Sequence, residues 1–476
     1  MTLGRQWIAL PLAFLAITLG FAVSRGQWLL PAGILTLTAL LLATLVTDTL
    51  PAILLVVAAL LEPPLGDFGG IPELKLAELV APILLLVLAL RAASRERATT
   101  ALAPTRVVDL DRSRAINLAV GAYAVVLALN YLRSKYLLGS TVFGTARTFY
   151  DYFIALGTYL LFYLLLTARG CDWSRLFRFL FWLSLTASTI GVLAVALKLP
   201  LNFGTLRYSV YDYTSGAVRV GFLETFGTVG LALVLTINNR FRLVPALLFV
   251  VALLASGGRA AVIGAAVAIA VYFLITRRSW RVLAGTIVAI LVALAIPSIG
   301  SNPQVQRLSQ VNQQQFSSDG RLYIYNHALD AFASEPLVGT GVGVPVSVSS
   351  PEPKISAFYA AQLEVGGHAT YVSLLKNLGL LGFVPFVAAL LIALASLAPI
   401  ARADPAAGFF FILLVAEAIA MFVEGNGSDP VYFFALAGAS AVLASRRRAP
   451  WSAPRVRDAG PQRFTGGAPA PPTVGP

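Results

Sequence analysis

Apolar runs long enough, or nearly long enough, to cross a bilayer recur along most of the chain. They lie at about 7–24, 28–46, 48–61, 74–93, 115–132, 149–167, 176–197, 219–238, 242–256, 260–276, 282–297, 368–396, 407–424 and 430–445. Inside hydrocarbon every backbone N–H and C=O has to be paired within the protein, so runs of this length fold as helices. The chain is therefore expected to be all-α, a polytopic transmembrane helix bundle of about 12–14 spans, since several runs are short. Composition agrees. Of the 476 residues 58% are hydrophobic and only 12% charged, about half the charged share of a soluble domain. A soluble globular enzyme, a disordered chain and a fibrous one are all excluded on that ground. The first run follows Arg5 as a signal peptide would, but no small-x-small cleavage site precedes Gln27 and a second run follows at once. It reads as a retained span.

Lys and Arg number 35 against 22 Asp and Glu, a net charge of +13. The excess sits in short loops between apolar runs: Arg91 to Arg114, Arg169 to Arg178, Arg240 with Arg242, Arg277 to Arg281, Arg402, and Arg446 to Arg448. With an even number of spans these loops fall on one side together with both termini, and the positive-inside rule makes that side the cytoplasm of a multi-pass inner-membrane protein. Membrane orientation thus accounts for the charge, and no nucleic-acid partner is needed. Residues 298–367 then form one extracytoplasmic loop inserted into a transmembrane domain of residues 1–448. Within that loop Leu322, Tyr325, Leu329 and Phe332 have helical spacing. Ser317, Ser318 or Asp319 can cap the helix start, Glu335-Pro336 ends it, and Gly339, Gly341 and Gly343 read as a flexible stretch. Residues 449–476, rich in Pro, Gly and Ala, read as a disordered cytoplasmic tail. One cysteine, Cys171, and two histidines, His327 and His368, leave no Cys- or His-based metal cluster.

Ionisable groups at membrane depth are costly and mark either function or an internal pair. Four stand towards the outer side. Arg219 opens the run Arg219-Val-Gly-Phe-Leu-Glu224. Arg259 follows Ser256-Gly257-Gly258 between two runs, Arg321 opens the loop helix, and His368 opens the span after the loop with Tyr371 one turn on. Guanidinium groups around one cavity suit a polyanion, because they bind phosphate oxygens in pairs and stay charged. Backbone N–H groups at the helix start by Arg259 would add to this. A histidine beside them, its pKa lowered by their charge, can take a proton from a hydroxyl. Taken singly, each arginine also suits a snorkelling or interfacial role. His327, with Asp330 one turn away, reads as structural. Glu417, Glu424 and Asp429 read as partners for the arginines. The Gly339-x-Gly341-x-Gly343 string lacks the preceding strand of a nucleotide loop.

The string Gly320-Arg-Leu-Tyr-Ile-Tyr-Asn-His-Ala-Leu-Asp330, then Glu335-Pro-Leu-Val-Gly-Thr-Gly341, resembles the bacterial O-antigen ligase and O-antigen polymerase family. So do Gly367-His-Ala-Thr-Tyr371 running into Leu378-Gly-Leu-Leu-Gly382, Ser256-Gly-Gly-Arg-Ala-Ala261, and Arg219-Val-Gly-Phe222. The resemblance covers about residues 215–395 and rests on the order of these motifs. It implies a GT-C-like membrane glycosyltransferase of surface polysaccharide or lipopolysaccharide biosynthesis. Such an enzyme moves a glycan from undecaprenyl pyrophosphate to an acceptor hydroxyl on a glycan, lipid or protein, with inversion and without a metal or other cofactor. By the match, Arg259 and Arg321 hold the pyrophosphate, His368 activates or positions the acceptor, and Arg219 and Tyr371 are supporting substrate contacts. Two positions depart from the family's habit: Ala369 stands where Asn is common, and Gly258 where Ser or a similar residue is common. The competing reading is a transporter or flippase for a polysaccharide or lipid-linked sugar. Such proteins often show paired broken helices in two halves, and this chain shows no internal repeat.

Overall fold

The computed structural model describes residues 64–68, 71–75, 112–138, 142–167, 172–196, 209–212, 217–236, 243–276, 321–342, 344, 369–422 and 430–446. The spans expected at 7–24, 28–46, 48–61 and 282–297, most of the span at 74–93, the tail, His368, and the loop outside 321–342 and 344 lie outside the described residues.

Helices dominate. In chain order they are α1 (Arg112–Tyr136), α2 (Val142–Thr167), α3 (Trp173–Ala196), α4 (Gly221–Thr236), α5 (Leu243–Ala255), α6 (Arg259–Thr276), α7 (Arg321–Ser334), α8 (Thr370–Leu397), α9 (Pro405–Ala420) and α10 (Pro430–Arg446). Among the described residues four helices are long and apolar enough to cross a membrane: Arg112–Tyr136, Trp173–Leu193, Arg259–Thr276 and Thr370–Leu397. The molecule is a polytopic helical membrane protein. Two small antiparallel hairpins were not anticipated: β1 (Pro64–Phe68) with β2 (Ile71–Lys75), and β3 (Ser209–Asp212) with β4 (Ala217–Val220). The first takes Leu74 and Lys75 out of the fourth expected span. The second takes Arg219 out of the eighth, since α4 begins only at Gly221. Alternating Val218 and Val220 around Arg219 favour an extended ladder over a helix turn at that point.

Helix boundaries follow local chemistry. Asp172 caps α3 by accepting from the backbone N of Ser174 (3.0 Å) and Arg175 (3.2 Å). Asp404 caps α9 by accepting from Ala406 N (2.9 Å) and Ala407 N (3.3 Å), with Pro405 at the first helical position.

α1 with α8, α6 with α9, and α2 with α10 run antiparallel, so the bundle has two ends. α1 packs along α8, α6 along α9, α10 along α2, and α3, α4 and α5 form a triplet. The helices approach closely where glycines remove side chains. A Cβ on Gly264 of α6 would lie 2.6 Å from the Ala416 carbonyl oxygen of α9, and one on Gly438 of α10 would lie 2.1 Å from the Phe410 ring. Small residues at such crossings are what let helices pack in lipid, where water supplies no driving force between them. Aromatic rings fill the centre: Phe162 meets Phe434 at 4.7 Å, and Phe386 meets Tyr432 at 4.8 Å. At one end, Ser113 and Ser440 bond at 2.9 Å, and Asn117 accepts from Ser440 (3.0 Å) and from Tyr159. These polar contacts tie α1, α2 and α10 together.

Candidate active site

The opposite end of the bundle holds two of the residues singled out from the sequence, Arg259 and Tyr371. There α5 ends and α6 begins across Ser256-Gly257-Gly258. Gly257 has φ +72°, a left-handed conformation that suits glycine. The Ser256 hydroxyl donates to Leu253 O (2.6 Å) and accepts from Gly258 N (3.1 Å). All three residues are buried, while Arg259 at the α6 start is half-buried. The break is a built corner that presents one arginine at a helix N-terminus.

Across from it, the first turn of α4 carries Glu224. Its carboxylate lies against Gly258: a Cβ there would sit 2.1 Å from Oε1 and 2.9 Å from Oε2. The glycine that departs from the family's habit thus has a steric cause. The sequence reading left the N–H groups at this helix start to an incoming anion, whereas a carboxylate of the chain itself already lies beside it.

One and a half turns into α6, Gly264 abuts Ala416 of α9. The next residues of α9 are Glu417 and Ala418, and the Tyr371 hydroxyl of α8 donates to Ala418 O at 3.1 Å. Thr370 N donates to Met421 O (3.0 Å), and the Tyr371 ring packs on Phe422 at 4.7 Å. Ala369, buried and extended (φ −126°, ψ 123°), precedes α8. The starts of α4, α6 and α8 and the end of α9 therefore share one end of the bundle. Of the expected site residues, Arg259 and Tyr371 come together there through α9. Arg219 lies in β4, two residues before α4, and Arg321 is the first residue of α7. His368 directly precedes Ala369, outside the described residues. His327 is half-buried on α7.

Sequence reasoning missed the anchor of the outer loop. The stretch after α7, expected to be flexible, is hydrogen-bonded into the bundle where α8 breaks. Gly379 has φ +60° inside α8, and the backbone around it pairs with the loop instead of with its own helix. Thr340 N donates to Lys376 O (2.7 Å), Gly341 N to Asn377 O (3.1 Å), Leu380 N to Pro336 O (2.9 Å) and Leu381 N to Leu337 O (3.0 Å). Unpaired backbone inside a bundle is costly, so these four bonds make the break tolerable. From α1, Arg133 forms an ion pair with Glu335 and donates from Nη1 to Gly339 O at 2.6 Å. Asn130 donates to Val338 O and Asn377 O, both at 3.1 Å, and accepts from Val342 N at 3.2 Å. Lys376 is fully buried beside them. The only sequence signal was Asn130 and Arg133 one turn apart near a span end, a pattern equally typical of a membrane interface.

The long apolar helices define a membrane protein, and the corner presents one cation at one end of its bundle. Residues 244–387, from α5 into α8, match the family model described as O-Antigen ligase. Over that stretch the chain is similar to the O-antigen ligase family, which supports a role of that kind in surface polysaccharide biosynthesis, with lipid-linked glycans and their acceptors as the general class of partner. None of the curated proteins matches the chain.

Proposed function

We propose that the protein transfers a glycan from undecaprenyl pyrophosphate to an acceptor hydroxyl at the outer face of the inner membrane, inverting the anomeric carbon and using no metal. The observation that carries this reading is the corner at Ser256-Gly257-Gly258, which fixes Arg259 at the bundle end where α8 also starts. The match over residues 244–387 supports it, since that stretch contains both the corner and the loop helix. In the reaction the acceptor oxygen attacks the anomeric carbon of the donor's reducing-end sugar as its bond to the pyrophosphate oxygen breaks. The acceptor's proton passes to His368, and undecaprenyl pyrophosphate leaves. Arg259 and Arg321 hold the pyrophosphate and offset its growing charge, with Arg219 in support. Fixed cations in a water-poor site stabilise such charge more than water does. Tyr371 lines the acceptor side.

The site faces outward in this reading. The arginine-rich loops and both termini stay in the cytoplasm, residues 298–367 lie outside, and 449–476 form a cytoplasmic tail. The test is transfer by purified Arg259→Ala, Arg321→Ala and the two Arg→Lys variants. Each Ala variant loses turnover on the order of a hundredfold or more. Lys rescues poorly, because an ammonium lacks the forked contact. Full activity in both Lys variants contradicts paired phosphate binding.

A further inference from the structure

We propose that Glu224 is a positioning residue for Arg259; this rests on the reading of Arg259 as a pyrophosphate contact and deepens it. The carboxylate occupies the space that any side chain at residue 258 would need, with Oε1 2.1 Å and Oε2 2.9 Å from a Cβ there. Its own backbone is held in place: Thr228 Oγ1 donates to Glu224 O at 2.8 Å. Leu223 beside it is buried with Ala252 and Ala255 of α5, against Val192 and Val195 of α3. The surface it meets is equally fixed, since Gly258 N is bound by the Ser256 hydroxyl and Gly257 holds a left-handed turn. A negative charge set at the N-terminal end of α6 stabilises that helix start, and the next residue along α6 is Arg259. Glu224 also lies five residues after Arg219, in the first turn of the helix that follows the strand carrying it.

The chemistry has two sides. The carboxylate pre-organises the Arg259 corner before substrate arrives, and it repels an incoming pyrophosphate. Glu224→Gln keeps the shape and removes the charge. The loss of positioning then lowers turnover between about tenfold and a hundredfold, the scale expected when a contact group is misplaced by about 1 Å. Donor affinity stays equal or becomes tighter, because the repulsion is gone. A merely structural role would instead lower the stoichiometry of donor binding together with turnover.

Gly258→Ala gives a second route, since the added methyl displaces the carboxylate. It reproduces the Glu224→Gln phenotype in the wild type and adds no further loss in a Glu224→Ala background. The experiment measures turnover, donor dissociation constant and binding stoichiometry for Glu224→Gln, Glu224→Ala, Gly258→Ala and the double variant. The probe is a polyprenyl-pyrophosphate-linked oligosaccharide, and Arg259→Ala is run in parallel. If Glu224→Gln does not fold, the comparison of Gly258→Ala in the two backgrounds decides alone. Wild-type turnover in Glu224→Gln, weaker donor binding, or additive losses in the double variant overturn the proposal. Those results beside an inactive Arg259→Ala leave the pyrophosphate reading standing, whereas an active Arg259→Ala removes that reading itself.

Discussion

Asn130→Ala tests whether the outer loop is held as the structure indicates. Asn130 is buried near the end of α1 and bonds three backbone groups from two other segments: Val338 O, Asn377 O and Val342 N. Truncation removes all three bonds at once: it strands the buried Val342 N–H and takes a donor from Val338 O, while Asn377 O keeps its bond from Gly341 N. A buried group that loses its partner costs about 1–3 kcal/mol. Inter-helix bonds measured in membrane proteins average nearer ~0.6 kcal/mol, because the unfolded state in lipid finds partners too. Three bonds on the lower scale give about 2 kcal/mol, and the stranded Val342 N–H puts the expected loss at about 2–3 kcal/mol. The assay is reversible unfolding of the purified protein by SDS titration in mixed micelles, beside protease sensitivity of the 335–342 segment. Asn130→Asp belongs in the same series: it keeps the acceptor for Val342 N but loses both donors, so it is no better than Ala. A loss below about 0.5 kcal/mol, the range of an ordinary surface change, together with unchanged protection of 335–342, refutes the argument that Asn130 carries this anchor.

Other consequences are equally open to measurement. Gly264→Leu places bulk where a Cβ already meets the Ala416 carbonyl at 2.6 Å; it costs about 1–3 kcal/mol by overpacking in the same unfolding assay and lowers transfer by moving α9 under Tyr371. In a Cys171→Ser background, Ser318→Cys reacts with an impermeant thiol reagent in whole cells and Ser445→Cys does not; the reverse pattern inverts the topology. His368→Ala loses most turnover yet still binds donor, whereas His327→Ala keeps turnover. The base must be neutral to accept a proton, so wild-type rate falls on acidification and the residual rate of His368→Ala lacks that limb. Excess EDTA leaves wild-type turnover unchanged; a loss restored by a divalent ion moves the chemistry to the carboxylates.

The helices were legible because hydrocarbon demands long apolar runs. The starts of α5 and α6 agree within a residue with the spans read at 242–256 and 260–276. The loop helix was legible from the spacing of Leu322, Tyr325, Leu329 and Phe332, and α7 starts at Arg321 and stops before Glu335-Pro336. Arg219 was assigned to a span because apolar residues surround it; four residues of strand share that composition, and only pairing with Ser209–Asp212 distinguishes them. The loop anchor was hidden for another reason. Asn130 and Arg133 act on partners more than 200 residues away, and no local pattern marks such contacts. Gly339 and Gly341 looked like points of freedom, yet both, like Gly379 of α8, have positive φ in a packed junction. Gly258 looked like a departure from a family habit until Glu224 appeared beside it.

The central claim is transfer from a lipid pyrophosphate at the Arg259 corner. The most direct measurement incubates the purified protein with an undecaprenyl-pyrophosphate-linked oligosaccharide and candidate acceptors, then quantifies both products and the anomeric configuration of the new linkage. The account predicts one undecaprenyl pyrophosphate released per glycan transferred, an inverted linkage, and loss of both products in Arg259→Ala and His368→Ala. Donor carried across a reconstituted membrane without cleavage, or transfer that persists in Arg259→Ala, contradicts it.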